Sequence, residues 1–286
     1  MYPRKEDPVP NTKTIPTVVS PLAETLERVS AARMEDGKMD LSTRWSVSDE
    51  PGWTTVAILA ADRELLTGTM DSIGRAYKTD NRPFVGTALI RGYLWRMMRP
   101  AVAVLLAERR LPDLRAGNVA LRFGDSSLTE DVAFTGSRFA VLPDDPDVGH
   151  PDAVVLPSEE ALLGWMRGAM AETHLPFLIP ALRGLGVRRG TRAMQRVFVD
   201  SCAEAFMFVG RELGCEAEAL ELAERLLSGP PPLSGPTNFY LLDRDGEAET
   251  SRVRNTCCLY YKVAAGACFT CPRTTHEERL RRLAEK

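Results

Sequence analysis

Residues 191–213 read TRAMQRVFVDSCAEAFMFVGREL and form the longest helical pattern in the chain that contains no proline. Apolar side chains recur along it at helical spacing, as at Val197, Cys202, Phe208 and Val209. A helix with one apolar face is stabilised by packing that face against a hydrophobic core. The stretch therefore predicts a protein whose main part is largely helical.

Further helices are predicted on both sides of this stretch. Gly214 is a natural C-cap, and residues 216–227 would form the next helix. Upstream, Ser158 is followed by two glutamates, which favour the positive end of a helix dipole. That helix is predicted to run to about His174, where capping is the ordinary role for the side chain, and to end before Pro176.

The N-terminal half also contains helical patterns. Residues 21–33 have apolar positions at helical spacing and begin at a proline, which suits an amphipathic helix. Residues 87–110 are helical in pattern, and Pro100 should kink this helix or begin a second one. Residues 54–60, TTVAILA, favour a short buried strand, with a buried helical segment as the alternative.

Alternating side chains predict a small amount of sheet. Residues 118–123 and 132–142 alternate and are separated by a stretch that opens with GDSS (124–127), so they form the best hairpin candidate. Residues 238–242, NFYLL, resemble a strand, and Gly246 would supply the turn after it. The predicted fold class is α+β, with a predominantly helical main domain and a small antiparallel sheet.

A change of composition near the carboxyl end predicts a boundary. Residues 228–236, SGPPPLSGP, contain four prolines and two glycines, which a regular helix or a central strand does not tolerate. The predicted division is an extended N-terminal lead-in (1–18), a mainly helical α+β domain (19–228), a Pro/Gly-rich link (229–236) and a C-terminal cysteine segment (237–286).

Composition and charge exclude several classes of protein. Apolar residues make up 44% and charged residues 26%, with a formal net charge of −3, which is ordinary for a globular protein and offers no footprint for nucleic acid. No apolar window reaches the roughly 20 residues that a membrane span needs, and the N-terminal sequence does not resemble a secretory signal. We expect a cytoplasmic protein with no transmembrane segment and no nucleic-acid partner.

Four of the six cysteines lie close together in RVRNTCCLYYKVAAGACFTCPR, residues 252–273. They are Cys257, Cys258, Cys268 and Cys271, with nine residues between the second and third and two between the third and fourth. A C-x-x-C spacing lets two thiolates reach one metal from a single turn. Adjacent cysteines in an extended strand would point to opposite faces, so the backbone must bend at the pair if all four serve one site.

Three kinds of site remain compatible with this spacing. Structural zinc accepts four thiolates, but its usual pattern is two separated C-x-x-C pairs. A dithiol redox site would use Cys268 and Cys271, although the usual βαβ context is missing and the vicinal pair would have no role. A [2Fe–2S] cluster requires four thiolates and is the third possibility.

The segment RNTCCLYYK (254–262), followed by CFTCP (268–272), resembles the C-terminal signature of the FhuF-type ferric-siderophore reductases. The resemblance implies a cytoplasmic enzyme that reduces siderophore-bound iron(III), commonly a hydroxamate complex, so that iron(II) is released. It implies that the main domain binds the siderophore and that the cofactor is a [2Fe–2S] cluster, with Cys257, Cys258, Cys268 and Cys271 as its ligands. The family usually has ten residues between the second and third cysteine where this chain has nine, which leaves open which thiols share an iron.

Charge in the C-terminal segment fits an electron-transfer role. Residues 251–286 contain eight Lys or Arg against three acids, so the segment is +5 while the remainder is −8. Such a surface would steer an acidic donor such as a ferredoxin or flavodoxin. Arg254 and Lys262 flank the vicinal cysteines and are candidates for tuning the cluster or docking the donor, whereas the arginines of 277–286 are expected to be solvated.

The alternative function is a four-cysteine zinc or iron–sulfur binding module, such as a sensor or a siderophore-related binding protein, without reductase activity. Cys202, on the apolar face of its helix, and Cys215 are interpreted as structural.

Overall fold

A computed structural model describes residues 20–34, 43–44, 52–124, 129–244, 247–264 and 268–284. Within these ranges the fold is α+β, as predicted. The predicted N-terminal lead-in (1–18) and the predicted turn at Gly246 lie outside the described residues. No helix in the described ranges is long and apolar enough to cross a membrane.

The described elements are short strands set among longer helices. The helices are α1 (Pro21–Met34), α2 (Val56–Ala61), α3 (Arg63–Ala76), α4 (Arg82–Glu108), α5 (Glu159–Ala169), α6 (Leu175–Gly184), α7 (Thr191–Leu213), α8 (Glu216–Leu227) and α9 (His276–Ala284), with a π-helical turn at Met170–His174 and a 3₁₀ turn at Tyr260–Lys262. The strands are β1 (Thr43–Arg44), β2 (Trp53–Thr55), β3 (Leu111–Pro112), β4 (Val119–Phe123), β5 (Thr129–Phe134), β6 (Phe139–Val141), β7 (Ala153–Val155), β8 (Phe239–Arg244) and β9 (Glu247–Arg252).

The strands form three small sheets. The first has the order β1-β5-β4-β2, in which β1 pairs parallel with β5 and the other pairs are antiparallel. The second has the order β3-β6-β7, with β6 and β7 parallel. The third is the antiparallel hairpin β8-β9, in which Phe239 is opposite Arg252. The segment that contains the four cysteines follows directly after this hairpin.

Helices α4 and α7 form the centre of the hydrophobic core. They pack against each other, and α4 also contacts α1, α3 and β5 while α7 contacts α8. Side chains such as Tyr93, Met97, Phe198 and Phe206 are fully buried there. Burial of each large apolar side chain contributes about 1.5–3 kcal/mol relative to exposure. Helices α1, α3 and α8 and the first sheet therefore pack around α4 and α7.

The helical predictions around the opening stretch are confirmed. Helix α7 spans Thr191–Leu213 and ends at Gly214, whose φ of 71° lies in the left-handed region that favours glycine. Helix α8 covers residues 216–227, as predicted. Cys202 is fully buried in α7, and burial raises the pKa of its thiol to about 12, in agreement with a structural role.

Of the two alternatives predicted for residues 54–60, the strand covers only the first two residues, and the helical alternative is the one that the structure shows from Val56 onwards. Thr55 ends β2 and caps α2, because its hydroxyl accepts a hydrogen bond from the Ile58 amide at 3.2 Å. Pro100 does not begin a second helix either. Helix α4 continues through it to Glu108, and the turns on both sides of Pro100 are buried in the core, which offsets the lost backbone hydrogen bond.

Two other boundaries differ from the predictions. The hairpin is formed by β4 and β5 alone, and Phe139–Val141 pairs in the second sheet instead. The helix that begins at Ser158 does not stop before Pro176, because a π-helical turn carries the chain into α6, where proline is tolerated in the first turn. His174 is not a cap. It is fully buried, and its Nε2 lies 2.7 Å from the Leu114 carbonyl oxygen.

Candidate four-cysteine site

Two loops bring the four cysteines together after β9. The Arg254 amide donates to the Thr270 carbonyl at 2.9 Å and so ties the loop of the vicinal pair to the loop of the C-x-x-C pair. Leu259 has a φ of 64°, so the backbone enters the left-handed region directly after the vicinal cysteines. The bend that the sequence required for a common site therefore lies immediately beyond Cys258.

The four thiols interact in two pairs. Cys257 is hydrogen bonded to Cys271, and Cys258 is hydrogen bonded to Cys268. Among the described residues, none of these four cysteines forms a disulfide bond. Within the described residues, no group of three or more His, Cys, Asp or Glu side chains is arranged to hold a metal ion. The thiols of the two loops are therefore neighbours, and the ligand role of these cysteines stays a prediction.

The protonation of one pair is strongly asymmetric. A hydrogen bond from the Cys268 thiol lowers the pKa of Cys258 to about 5, against the effect of burial, and the Tyr260 amide with the cations Arg254 and Arg91 acts in the same direction. The same hydrogen bond raises the pKa of Cys268. Of the two thiols in this pair, Cys258 is therefore the one that ionises more readily, and the thiolate is the nucleophilic and metal-binding form of cysteine.

Hydrogen-bond donors surround the sulfurs. The Leu259 amide lies 3.4 Å from Cys257 Sγ, and Arg254 Nη1 lies 3.6 Å from Cys268 Sγ. Thr270 Oγ1 is 4.0 Å from the same sulfur. Donors directed at thiolate sulfur stabilise added negative charge and raise the potential of an iron–sulfur cluster. Such donors would raise the potential of a cluster bound by these thiols, and the cluster itself stays a prediction.

Arg254 connects the sulfurs to helix α7. Its Nη2 donates to Glu204 Oε1 at 2.7 Å, and both side chains are buried. Burial acts to lower the pKa of Arg254, but Glu204 and Cys268 together raise it. Burial likewise acts to raise the pKa of Glu204, whereas Arg254 and Arg91 lower it overall. Arg254 therefore keeps its charge beside Cys268.

Asp200, one turn earlier on α7, holds the loop that leads to the vicinal pair. Its Oδ1 accepts from Arg252 Nη2 at 2.7 Å and from the Asn255 amide at 2.7 Å, and its Oδ2 accepts from the Thr256 amide at 3.1 Å. Arg252 has no exposed side-chain surface. Since a carboxylate that accepts several N–H bonds is well satisfied when buried, Asp200 serves as the anchor of this loop.

Two further arginines hold the backbone of the cysteines themselves. Arg189 Nη2 donates to the Cys257 carbonyl at 2.6 Å, and its Nη1 donates to Thr87 Oγ1 on α4 at 2.9 Å. Arg279 Nη2 donates to the Cys271 carbonyl at 3.1 Å and to the Thr274 carbonyl at 2.6 Å. The expectation that Arg279 is solvated is wrong, because α9 turns this side chain inwards and only 7% of the residue is exposed.

The two flanking cations of the prediction occupy different environments. Arg254 contacts a cysteine, whereas Lys262 is exposed and lies over the ring of Tyr261 at 5.3 Å. Asp200 and Glu204 were not among the site residues predicted from the sequence. The sequence does contain a sign of their role, because these two acids, four residues apart, interrupt the most apolar part of residues 191–213. A carboxylate on the buried face of a helix requires a buried cation or hydrogen-bond donor as its partner.

The fold and the site define an α+β protein with a four-cysteine site held against its central helix. No family model and no curated protein matches the chain. Among solved structures, the chain is similar to aerobactin synthetase IucC from a hypervirulent pathotype of Klebsiella pneumoniae, with 14% sequence identity and a TM-score of 0.45. The match covers 71% of this chain and 42% of that enzyme, so the chain spans less than half of its length.

Proposed function

We propose that the protein is a cytoplasmic ferric-siderophore reductase that holds a [2Fe–2S] cluster on Cys257, Cys258, Cys268 and Cys271. The observation that carries the proposal is that the vicinal pair and the C-x-x-C pair lie side by side, with Cys257 next to Cys271 and Cys258 next to Cys268. A [2Fe–2S] cluster needs two thiolates on each of its two irons, and this set of four thiols would supply them. The FhuF-type signature of the same residues supports the same assignment.

The chemistry of hydroxamate siderophores explains why a one-electron site is useful. Hydroxamate oxygens are hard, anionic ligands, so they bind iron(III) far more tightly than iron(II). A single electron therefore converts a tight complex into a labile one from which iron(II) is released. A [2Fe–2S] cluster bound by the four thiolates would supply electrons one at a time.

The chain's own residues favour the acceptance of an electron at this site. The Leu259 amide and the Arg254 guanidinium donate towards two of the sulfurs, and both interactions strengthen when negative charge is added. Asp200 and Arg189 hold the loop of the vicinal pair, so the donors keep their direction. Glu204 balances part of the positive charge and keeps Arg254 buried in place.

The electron donor in this proposal is an acidic protein of the ferredoxin or flavodoxin class. The C-terminal segment is positively charged and presents exposed cations near the thiols, including Lys262 and Arg273, which lie over the Tyr261 ring at 5.3 and 4.7 Å. Complementary charge accelerates the encounter of two proteins, and the rate falls as salt screens the attraction.

Single-turnover reduction tests the proposal. Protein purified without oxygen is reduced with one equivalent of dithionite and mixed with ferric desferrioxamine B in the presence of an iron(II) chelator. We expect the visible spectrum of the oxidised protein to return as about one iron(II) is captured for each electron stored. A reduced protein that stays reduced with this and other ferric hydroxamates would favour the binding-module alternative.

A further inference from the structure

A cavity of about 470 Å³ opens beside the four-cysteine site, and Cys258 is one of its lining residues. Five aromatic side chains also line it: Tyr77, Phe84, Trp95, Phe208 and Tyr260. Phe84 packs edge-to-face against Tyr77 and at a tilt against Tyr260, with ring centroids 5.0 and 6.5 Å apart, so these three rings form an aromatic wall. The size and the apolar lining are those of a small-molecule site.

A line of charged groups runs from this cavity to the sulfurs. Arg91 of α4 lines the cavity, and its Nη2 lies 3.9 Å from Glu204 Oε2. The other oxygen of Glu204 accepts from Arg254, which reaches Cys268 at 3.6 Å. Two guanidinium groups thus share one carboxylate, and this group of three side chains carries a net positive charge at the cavity wall.

We propose that the cavity is the binding site for the ferric hydroxamate complex, with Arg91 donating to the hydroxamate oxygens and Cys258 as the sulfur on the path of the electron. This inference rests on the proposed reductase function and names the place of its substrate. Apolar arms of the siderophore pack on the aromatic wall, while the guanidinium binds the anionic oxygens around the metal.

The position of Arg91 favours the forward reaction. Iron(III) of the bound complex would gain one electron from the reduced [2Fe–2S] group that the four cysteines would hold, and would become iron(II). A reduced donor of the ferredoxin or flavodoxin class would then return one electron to that group and be oxidised itself. The complex then carries one more negative charge, so Arg91 binds it more strongly than before. The hydroxamate oxygens take up protons from water as iron(II) leaves.

Binding of gallium(III) desferrioxamine B tests the cavity without electron transfer, because gallium(III) is not reduced under these conditions. Arg91→Gln removes the cation. Gly92→Leu fills the cavity, since a Cβ at Gly92 lies 3.6 Å from the hydroxyl of Thr129, another lining residue. Arg75→Gln is the matched control, because Arg75 is exposed on α3, outside the cavity lining, and its guanidinium hydrogen bonds to Ser72 of the same helix.

We expect calorimetric titration of the holoprotein to show about tenfold weaker binding for Arg91→Gln, as for the loss of one charge-assisted hydrogen bond. Gly92→Leu should weaken binding at least as much, and Arg75→Gln should not change it, with the visible spectrum retained in all three.

Wild-type affinity in both cavity variants, in a protein that still reduces ferric desferrioxamine B, would overturn the cavity assignment and leave the proposed reductase function intact. Cavity-dependent binding without electron transfer would support the cavity and overturn the reductase.

Discussion

At the scale of single residues, Cys268 is the cysteine that contacts both the vicinal pair and Arg254. It is hydrogen bonded to Cys258, contacts Arg254 and begins the C-x-x-C turn. We expect Cys268→Ser to lose most of the visible absorption and most of the reductase activity together, because serine is a poor ligand for a sulfur-bound iron cluster. Absorption spectra and iron content of the purified variant measure this.

The matched control is Cys202→Ser, which removes a thiol from the same molecule at a position buried in α7. Its spectrum and iron content should equal those of the wild type, even if the buried hydroxyl lowers stability slightly. Loss of colour in Cys202→Ser together with retention in Cys268→Ser would show that the ligand assignment is wrong.

Arg254 and Lys262 provide a second comparison, because both flank the vicinal pair and only Arg254 is described in contact with a cysteine. Arg254→Lys keeps the charge but cannot donate to Glu204 and Cys268 with one rigid fork. We expect the reduction potential to fall by about 60 mV, the equivalent of about 1.4 kcal/mol for one electron. Lys262→Gln should shift it much less, and equal shifts in a spectroelectrochemical titration would refute a specific role for Arg254.

Part of the site could be predicted residue by residue. The four cysteines were recognised because thiols at close, regular spacing have few roles besides metal binding and redox chemistry. Arg254 was selected for its position beside them. Asp200 and Glu204 were overlooked because they lie more than 50 residues earlier, and only tertiary packing brings α7 to the cysteine loops. The inward turn of Arg279 likewise depends on contacts that no local pattern contains.

At the scale of elements, α7 is the part of the main domain that positions the cysteine loops. Asp200 on this helix binds Arg252 and two backbone amides of the following loop. Asp200→Asn leaves the Arg252 guanidinium buried without its counter-charge, which costs about 3–5 kcal/mol. We expect a lower free energy of unfolding in urea and loss of the cluster at a lower urea concentration than global unfolding.

Glu216→Gln is the control for this effect. Glu216, at the start of α8, pairs with Arg211 in the last turn of α7, but both side chains are partly exposed, so the pair contributes at most about 1 kcal/mol. Equal destabilisation by the two substitutions, or release of the cluster by both at the same urea concentration, would contradict the anchoring role of Asp200.

Element boundaries were predicted well where one pattern dominates. Helix α7 and its glycine cap were found because helical periodicity and a C-cap signal agree. The strand predicted for residues 54–60 was mostly incorrect because a short apolar run is compatible with a strand and with a buried helix. The hydrogen bond of the Thr55 cap favours the helix. The hairpin was overextended because alternation continues into β6, and alternation does not reveal which sheet a strand joins.

At the scale of the whole molecule, the buried His174 makes stability depend on pH. Burial lowers its pKa from an ordinary 6.5 to about 4, although the hydrogen bond to the Leu114 carbonyl opposes this. The unfolded chain therefore binds a proton near pH 6.5 that the folded protein does not accept until about pH 4. The neutral, buried His174 therefore contributes fully to the free energy of unfolding above pH 6.5. As the pH falls from 6.5 towards 4, this contribution is lost and the free energy of unfolding decreases by about 3 kcal/mol.

His174→Gln isolates this contribution, because glutamine can still donate to the Leu114 carbonyl and does not titrate. We expect the free energy of unfolding of the wild type to fall more steeply than that of the variant between pH 6.5 and pH 4.5, with parallel profiles above pH 7. Urea denaturation at matched pH values gives both curves. Parallel curves over the whole range would mean that His174 titrates normally in the folded protein.

The central claim is that four thiols against α7 hold two irons. The most direct measurement is the iron, zinc and acid-labile sulfide content of protein purified without oxygen, with the visible spectrum recorded before and after dithionite. We expect about two irons and two sulfides per chain and a red-brown colour that bleaches on reduction. Stoichiometric zinc in a colourless protein, or no iron with matching sulfide, would contradict it.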